Sequence, residues 1–293
     1  MARARSFRPG IIDYDGRMSA EYQAGRALSS DAANTWREVV APFVRSTARR
    51  LPERLDGVPY GLPERLDGVP YGLPERLDGV PCRPRIVDVG AGTGRFATLF
   101  AESFDAEVLA IEPSRGMLAI AATGSMPANL TYLAGAAESI PLHAESCDLA
   151  WLSHVWHHVK DHRACTRELR RIVCRAGHVL VRGTFGDVLD GFPTLFEFWP
   201  ATRDICEQLP TIDQTVAAFA ANGFELREHR RVSQVTAASL GEFAARTKRR
   251  ADSALALIPD AEFRQGQGAI EQAAAHAATP DPVVEVIELL VFE

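Results

Sequence analysis

A run of alternating glycines has the residue types needed to hold a ligand against the main chain. Gly90, Gly92 and Gly94 follow a β-rich stretch that ends at Val89, and a helical pattern begins directly after them. Glycine has no Cβ and takes positive φ readily, so a ligand can approach the backbone closely at such a turn. The N-terminus of the following helix adds free N–H groups. The sequence therefore predicts a ligand-binding turn between a strand and a helix.

An acidic residue, Glu112, ends a second β-rich run about 20 residues after the glycines, where it is placed to accept hydrogen bonds from a ribose diol. The spacing Gly92-x-Gly94-x-x-Ala97 formally fits the dinucleotide fingerprint. The longer run Asp88-x-Gly90-x-Gly92-x-Gly94 fits better to a second pattern, in which an acidic residue precedes three alternating glycines. The segments downstream must decide between the two.

The segment after a fourth β-rich run is dense in groups that can exchange protons; it holds Ser153, His154, Trp156, His157 and His158. We expect His157 or His154 to act as a general base if the substrate must lose a proton. A metal site shared with His162 is the alternative. No metal is predicted, because structural histidines are commoner than ligands in such a loop.

The elements around these residues predict an α/β fold. Strands and helices alternate over residues 85–187, which indicates a doubly wound, mostly parallel sheet with ligands at the carboxyl ends of its strands. Seven strands are expected, with helical cap insertions at about 188–210 and 239–282. The sixth strand, 224–237, is partly polar, which suits antiparallel pairing near a sheet edge.

Three regions are expected. Residues 1–50 form a lead-in and a helix that is capped by Ser30 or Asp31 and runs to about Arg50. Residues 51–82 carry LPERLDGVPYG twice and LPERLDGVPC once, an 11-residue period with prolines and Asp-Gly turns that we interpret as a surface linker. Residues 83–293 form the ligand-binding domain.

Composition limits the function classes. The chain has 293 residues, 46% of them hydrophobic and 24% charged, and a net charge of −6, so no general attraction to nucleic acid or to anionic membranes is expected. The five cysteines contain no CxxC pair, and no apolar run approaches the roughly 18 residues of a membrane span. The basic stretch MARARSFRPG lacks an apolar h-region, so we expect no secretory signal there. A cytoplasmic protein with reduced thiols is expected.

Most of residues 85–187 closely resembles class I S-adenosylmethionine (SAM) methyltransferases of the UbiE-like small-molecule type. The resemblance rests on GAGTG after the first strand, Glu112 after the second, GAAESIPL at 135–142, HHV with Asp161, and the fifth strand after a glycine turn. It implies a Rossmann-like methyltransferase fold, SAM as cofactor and a small-molecule acceptor.

The same resemblance implies roles for individual residues. Asp88, Gly90, Gly92 and Gly94 shape the loop around the methionine part of SAM, Glu112 binds the ribose and Met117 packs near the adenine. Tyr22 and Arg26 resemble a Tyr-x-x-x-Arg segment that closes over the SAM amino acid, although both also suit the surface of a lead-in helix. Ser153 is also expected to contact the cofactor.

One position departs from the family pattern. The family commonly has Gly-Asp-Ala-Glu after the third strand, and this chain has Ala136 where the Asp would reach the adenine amino group. Adenine recognition would then depend on the backbone N–H of Ala137, on water and on packing.

The resemblance places the acceptor between the loop after the fourth strand and the cap after the fifth. We expect a small, partly apolar acceptor contacted by Tyr14, Trp156, Arg182, Phe185, Phe196 and Trp199. Arg182 would pair either with an acidic substrate group or with a nearby carboxylate of the protein.

Two rivals stay open. An NAD(P)-dependent oxidoreductase would need a second nucleotide-binding half and a Tyr-x-x-x-Lys or equivalent, which the sequence lacks. A SAM-binding interaction module without catalysis would tolerate the change at Ala136. Nucleic-acid and metal-dependent catechol methyltransferases would show an (Asp/Asn)-Pro-Pro signature or acids after the fourth strand, where this chain has WLSH.

Overall fold

A single seven-stranded sheet organises the chain. The computed structural model describes residues 7–8, 12–44, 83–124 and 126–293. The predicted repeat linker at 51–82 and the predicted helix end at about Arg50 lie outside the described residues. The strands are β1 Arg85–Val89, β2 Glu107–Glu112, β3 Leu130–Ala134, β4 Cys147–Ser153, β5 Val173–Gly183, β6 Leu226–Ala237 and β7 Val283–Phe292.

The strand order is β3-β2-β1-β4-β5-β7-β6. β1 to β5 pair in parallel, whereas β7 pairs antiparallel with both β5 and β6. This arrangement confirms the predicted doubly wound, mostly parallel fold, with β6 antiparallel to its neighbour at an edge. The carboxyl ends of β1, β2, β4 and β5 consequently meet at one side of the sheet, where the candidate residues lie.

Helices cover both faces of the sheet. They are α1 Arg17–Gly25, α2 Ser30–Val40, α3 Arg95–Ser103, α4 Arg115–Ala121, α5 His162–Ile172, α6 Pro193–Phe198, α7 Ala201–Cys206, α8 Ile212–Ala220, α9 Leu240–Thr247, α10 Ser253–Leu257 and α11 Asp260–His276. β1 is buried at every position, as expected for a central strand. Ile86 faces one core cluster with Phe96 and Trp36, and Val87 faces the other with Leu169.

The helix α2 differs from its predicted bounds. Its N-cap is Ser29, whose Oγ accepts from the N–H of Ala32 at 3.1 Å, so the expected caps Ser30 and Asp31 are wrong by one or two positions. The helix ends at Val40 and a 3₁₀ turn containing Pro42 follows, because proline has no N–H to continue the helical ladder. Trp36 on α2 is fully buried.

The two cap segments pack against each other. α7 contacts α10, and α11 contacts both α6 and α9. α1 in turn contacts α4 and α9, so the N-terminal segment and the caps enclose the carboxyl ends of the strands. Within the described part of the chain, no helix combines the length and the apolar character that crossing a membrane requires.

Candidate active site

The glycine turn between β1 and α3 has left-handed backbone at alternate positions. φ is +72° at Gly90, +60° at Gly92 and +82° at Gly94. A Cβ on Gly90 would collide with the side chain of Val155, and one on Gly94 would collide with the hydroxyl of Tyr132. A Cβ on Gly92 would meet only the ring of Tyr22, at 3.7 Å. Gly92 therefore faces the open space in which a ligand can lie against the backbone.

Glu112 lies at the end of β2 beside that turn. Its Oε2 accepts from the N–H of Gly92 at 2.8 Å and its Oε1 accepts from the N–H of Ser114 at 2.9 Å. Burial raises the pKa of the carboxyl, and these two N–H donors oppose the shift. A carboxylate has about four lone-pair positions, so two of them stay available to hydroxyl donors of a ligand.

Asp88 lies on β1 directly before the turn and is 2% exposed. Burial raises its pKa to about 7, while Arg95 and the N–H of Ala97 at the start of α3 oppose the rise. The side chain thus ties the strand to the first turn of α3, and it supports the backbone shape of the glycine turn.

The expected adenine side of the site consists of α4 and the loop after β3. Met117 is buried, and its N–H donates to Oγ of Ser114 at 3.1 Å. The carbonyl of Ala136 accepts from Ser139 at 3.0 Å, and Ala137 is buried among apolar neighbours. No carboxylate stands at Ala136, so this wall of the site is shaped by backbone and methyl groups.

A cavity opens next to the glycine turn, between α1, the cap helices and the carboxyl ends of β4 and β5. Six of the candidate residues line it: Tyr14, Tyr22, Arg26, His154, His157 and Arg182. Tyr22 belongs to both places, since its ring also lies over Gly92. The structure therefore brings the expected cofactor turn together with the two candidate bases and with Tyr14 and Arg182, two of the six residues expected at the acceptor.

The comparisons with known proteins agree with this geometry. Residues 87–181 match the family described as "Methyltransferase domain". Over this stretch the chain is similar to methyltransferase domains, and the fold is that of class I SAM-dependent methyltransferases. The methyltransferase UbiE of Syntrophotalea carbinolica, which acts in ubiquinone/menaquinone biosynthesis as a C-methyltransferase, is 34% identical over 100 residues, 33% of this chain and 42% of that protein. The chain matches less than half the length of its curated relatives.

Solved structures show the same fold. A putative methyltransferase from an antibiotic biosynthesis pathway of Anabaena variabilis superposes with a TM-score of 0.59 at 17% identity, covering 72% of this chain and 91% of that one. The [4+2]-cyclase SpnF superposes with a TM-score of 0.53 at 19% identity, covering 92% of this chain and 84% of that one.

Four aromatic residues expected at the acceptor lie elsewhere in the methyltransferase domain. Trp156 is buried, stacks on His162 with ring centroids 4.1 Å apart, and donates from Nε1 to Oγ1 of Thr215. Trp199 donates from Nε1 to the carbonyl of Phe263 at 3.0 Å. Phe185 is buried in one core cluster and Phe196 packs against the other, so none of the four lines the cavity. Phe192 and Leu195 occupy the cavity wall instead.

The two candidate bases of the methyltransferase domain face the cavity in neutral form. Burial lowers the pKa of His157 well below its usual range, and His158 and Arg26 add to the effect. Burial, followed by Arg182 and Arg26, lowers the pKa of His154 in the same way. His154 also has left-handed backbone, with φ of +52°, and its N–H donates to the carbonyl of Arg182 at 2.8 Å. Both imidazoles are thus deprotonated at neutral pH.

The third histidine of this loop belongs to a hydrogen-bonded group at the cavity edge. The hydroxyl of Tyr14 lies 2.9 Å from Nε2 of His158 and 3.2 Å from Oγ of Ser253. Burial raises the pKa of Tyr14. These contacts join the lead-in segment, the loop after β4 and α10. Among the described residues, no cluster of three or more His, Cys, Asp or Glu side chains could hold a metal ion.

Sequence reasoning missed two of the arginines on the cavity, Arg95 and Arg246. Arg95 follows the glycine turn on α3, and its guanidinium lies 5.9 Å from the ring centre of Tyr22. Arg246 is on α9, and its Nη2 donates to the carbonyl of Ala27 at 2.7 Å. The position of Arg95 directly after the glycine turn could have indicated that it lies near the ligand. No feature of the sequence around Arg246 indicates that it lines the cavity.

Proposed function

We propose that the protein transfers the methyl group of SAM to a small, partly apolar acceptor. The proposal rests on the position of Tyr22, where the glycine turn meets the cavity. The ring of Tyr22 lies over Gly92 and also lines the cavity. A cofactor held along the glycine turn would therefore end at the cavity in which an acceptor is enclosed.

The residues present fit SAM. The open face of Gly92 suits its methionine part, and the two free lone-pair positions of Glu112 suit the ribose hydroxyls. Tyr22 and Arg26 would close over the amino-acid end, Met117 and Ala137 would pack against the adenine, and Ser153 would lie near the methyl. Bound SAM supplies an electrophilic methyl group on a sulfonium.

On the acceptor side, the protein would exclude water and orient the nucleophile. Alignment of acceptor, methyl and sulfur supplies much of the rate enhancement in reactions of this type. His157, or His154 next to it, is neutral and can take a proton from a hydroxyl or a protonated amine. Residues of the cap helices line the cavity, and excluding water from it would strengthen polar contacts inside it.

The proposed acceptor is a small metabolite, and neither nucleic acid nor a membrane is proposed as a partner. The cytoplasmic location expected from the cysteine pattern stays a prediction. Cys147, Cys165, Cys174 and Cys206 are buried and form no disulfide within the described part of the chain, which suits a reducing compartment.

The test is calorimetric binding of S-adenosylhomocysteine (SAH) to wild type, to Glu112→Gln and to Glu102→Gln. Loss of the charged hydrogen-bond acceptor should weaken binding by Glu112→Gln by roughly tenfold or more, since such bonds contribute about 1.5–3 kcal/mol. The exposed Glu102 is the matched control and should change nothing. Equal binding by the Glu112 variant, or none by wild type, contradicts the proposal.

A second candidate is a SAM-binding protein that transfers no methyl group. Ala136 weakens the expected adenine contact, and the fold also occurs in SpnF, which is described as a [4+2]-cyclase. The two candidates differ in product. Methyl transfer converts SAM to SAH in the presence of an acceptor, whereas the second candidate would bind SAM unchanged across a broad acceptor panel.

A further inference from the structure

Arg182 is a buried cation whose partners are all neutral. The residue is 2% exposed and lies at the carboxyl end of β5. Its Nη1 donates to Oγ of Ser153 at 3.0 Å and its Nη2 donates to Oε1 of Gln234 at 2.8 Å. Its guanidinium lies over the ring of Trp36 at 4.5 Å. Its Nε has no hydrogen-bond partner among the residues that the structure describes.

The surrounding charges neutralise it only in part, through Glu285. Arg26, Arg95 and Arg246 line the same cavity, and of the four arginines only Arg26 forms an ion pair within the described chain, with Asp252 at 3.0 Å. Glu285 is the other carboxyl on the cavity; burial raises its pKa, and its Oε2 accepts from the hydroxyl of Thr236 at 2.8 Å. The cavity therefore has an excess of positive charge.

An uncompensated buried cation is costly, and an anion with matching geometry removes most of that cost. The guanidinium of arginine binds carboxylates in a planar, often bidentate arrangement. Part of the cavity wall is apolar, with Phe192, Leu195, Ile205, Leu209 and Phe243. The binding partner that fits both features has one carboxylate and a hydrocarbon part.

We propose that the acceptor is an amphipathic carboxylic acid whose carboxylate binds Arg182 while its hydrocarbon part packs on the apolar wall of the cavity. This inference rests on the proposed function, because it assigns the second substrate of the same site. SAM also has a carboxylate, which is the other group that could bind Arg182. The backbone of Arg182 is two strands away from β1, about 10 Å across the sheet, while its guanidinium reaches Ser153, next to the expected position of the methyl group. We assign the acceptor carboxylate to this position between cofactor and acceptor, and the experiment below separates the two sources.

The experiment measures the binding of octanoate and of the neutral octanamide to SAH-saturated protein by calorimetry. The variants are Arg182→Met, Arg182→Lys and the control Arg203→Met, whose arginine is exposed and pairs with Glu207. Wild type and the control should bind octanoate at least tenfold more tightly than octanamide. Arg182→Met should lose that preference, and Arg182→Lys should keep part of it because the charge remains.

Each other outcome has a defined meaning. Equal binding of the two probes by wild type overturns the proposal and makes Arg182 a structural cation. Displacement of SAH by octanoate also overturns it, because the arginines would then serve the cofactor carboxylate. If wild type binds no SAH, the proposed function fails, and the same probe comparison on the unloaded protein still decides the role of Arg182. If Arg182→Met does not fold, the wild-type preference and Arg182→Lys decide it.

Discussion

Arg26 and Asp252 join the lead-in segment to the cap, with 3.0 Å between Nη1 and Oδ2. Arg26 follows the last turn of α1 and Asp252 is the N-cap of α10. The other carboxylate oxygen of Asp252 accepts from the N–H of Ala254 at 2.9 Å. One side chain thus starts a cap helix and holds the segment that carries Tyr22 over the cavity.

The first prediction concerns this ion pair. Asp252→Asn keeps a helix-capping oxygen but removes the charge, so the pair is lost while α10 still forms. We expect the melting temperature to fall by about 2–4 °C, which corresponds to about 1 kcal/mol for a chain of this size. Glu207→Gln breaks the more exposed pair with Arg203 and should change the melting temperature by less than about 1 °C. A similar loss in both variants would show that Asp252 contributes no more than a surface charge.

A second prediction follows from the missing acid after β3. Ala136→Asp places a carboxylate where relatives of this type commonly bind the adenine amino group. SAH binding should tighten by roughly 2–12-fold, the effect of one added hydrogen bond. Ala128→Asp, at an exposed position before β3 and away from Glu112, is the control and should leave affinity unchanged. Weaker or unaltered binding by Ala136→Asp would mean that the adenine lies elsewhere.

The fold could be predicted from the sequence because its signals are local. The glycine spacing, the β-rich runs and Glu112 each occur within a few residues, and the parallel order follows from their alternation. The acceptor wall could not be predicted in the same way. Trp199 is held by the carbonyl of Phe263, 64 residues away, and no local pattern reports that contact.

The basic residues at the end of α9 also have contacts that the local sequence pattern does not predict. The helical pattern around Lys248–Arg250 predicts a solvated helix face, but the run lies just beyond α9, and Arg250 binds Asp260 and two backbone carbonyls. Arg246, two residues earlier, lines the cavity. A charged residue in a helical pattern does not reveal which face points inward until the packing of the helix is known.

The third prediction concerns proton transfer. His157→Gln should lower kcat by at least about 100-fold with an acceptor that must lose a proton, the lower end of typical general-base contributions. Because burial holds the pKa of His157 well below 6.5, wild-type kcat should be flat between about pH 6 and pH 8. His276→Gln, at the exposed end of α11, is the control. A loss of less than about threefold in the His157 variant would leave alignment alone as the source of rate.

The fourth prediction concerns Asp88 and stability. Burial raises its pKa from 3.8 to about 7, so between these values the folded protein binds more protons at this site than the unfolded chain does. The stability from this group is therefore present at acid pH and lost as pH rises through about 7. Relative to wild type, Asp88→Asn should gain at least about 3 °C in melting temperature between pH 5 and pH 8. The exposed Asp105→Asn should show no such trend, and a flat difference for Asp88→Asn would refute the assigned pKa.

The crystal structure of the protein with SAH tests the central claim most directly. The account predicts the ribose hydroxyls within hydrogen-bond distance of Glu112, the homocysteine against Gly92, and the sulfur facing the cavity that His157 and Arg182 line. SAH bound away from the glycine turn, or with its carboxylate on Arg182, would contradict the account.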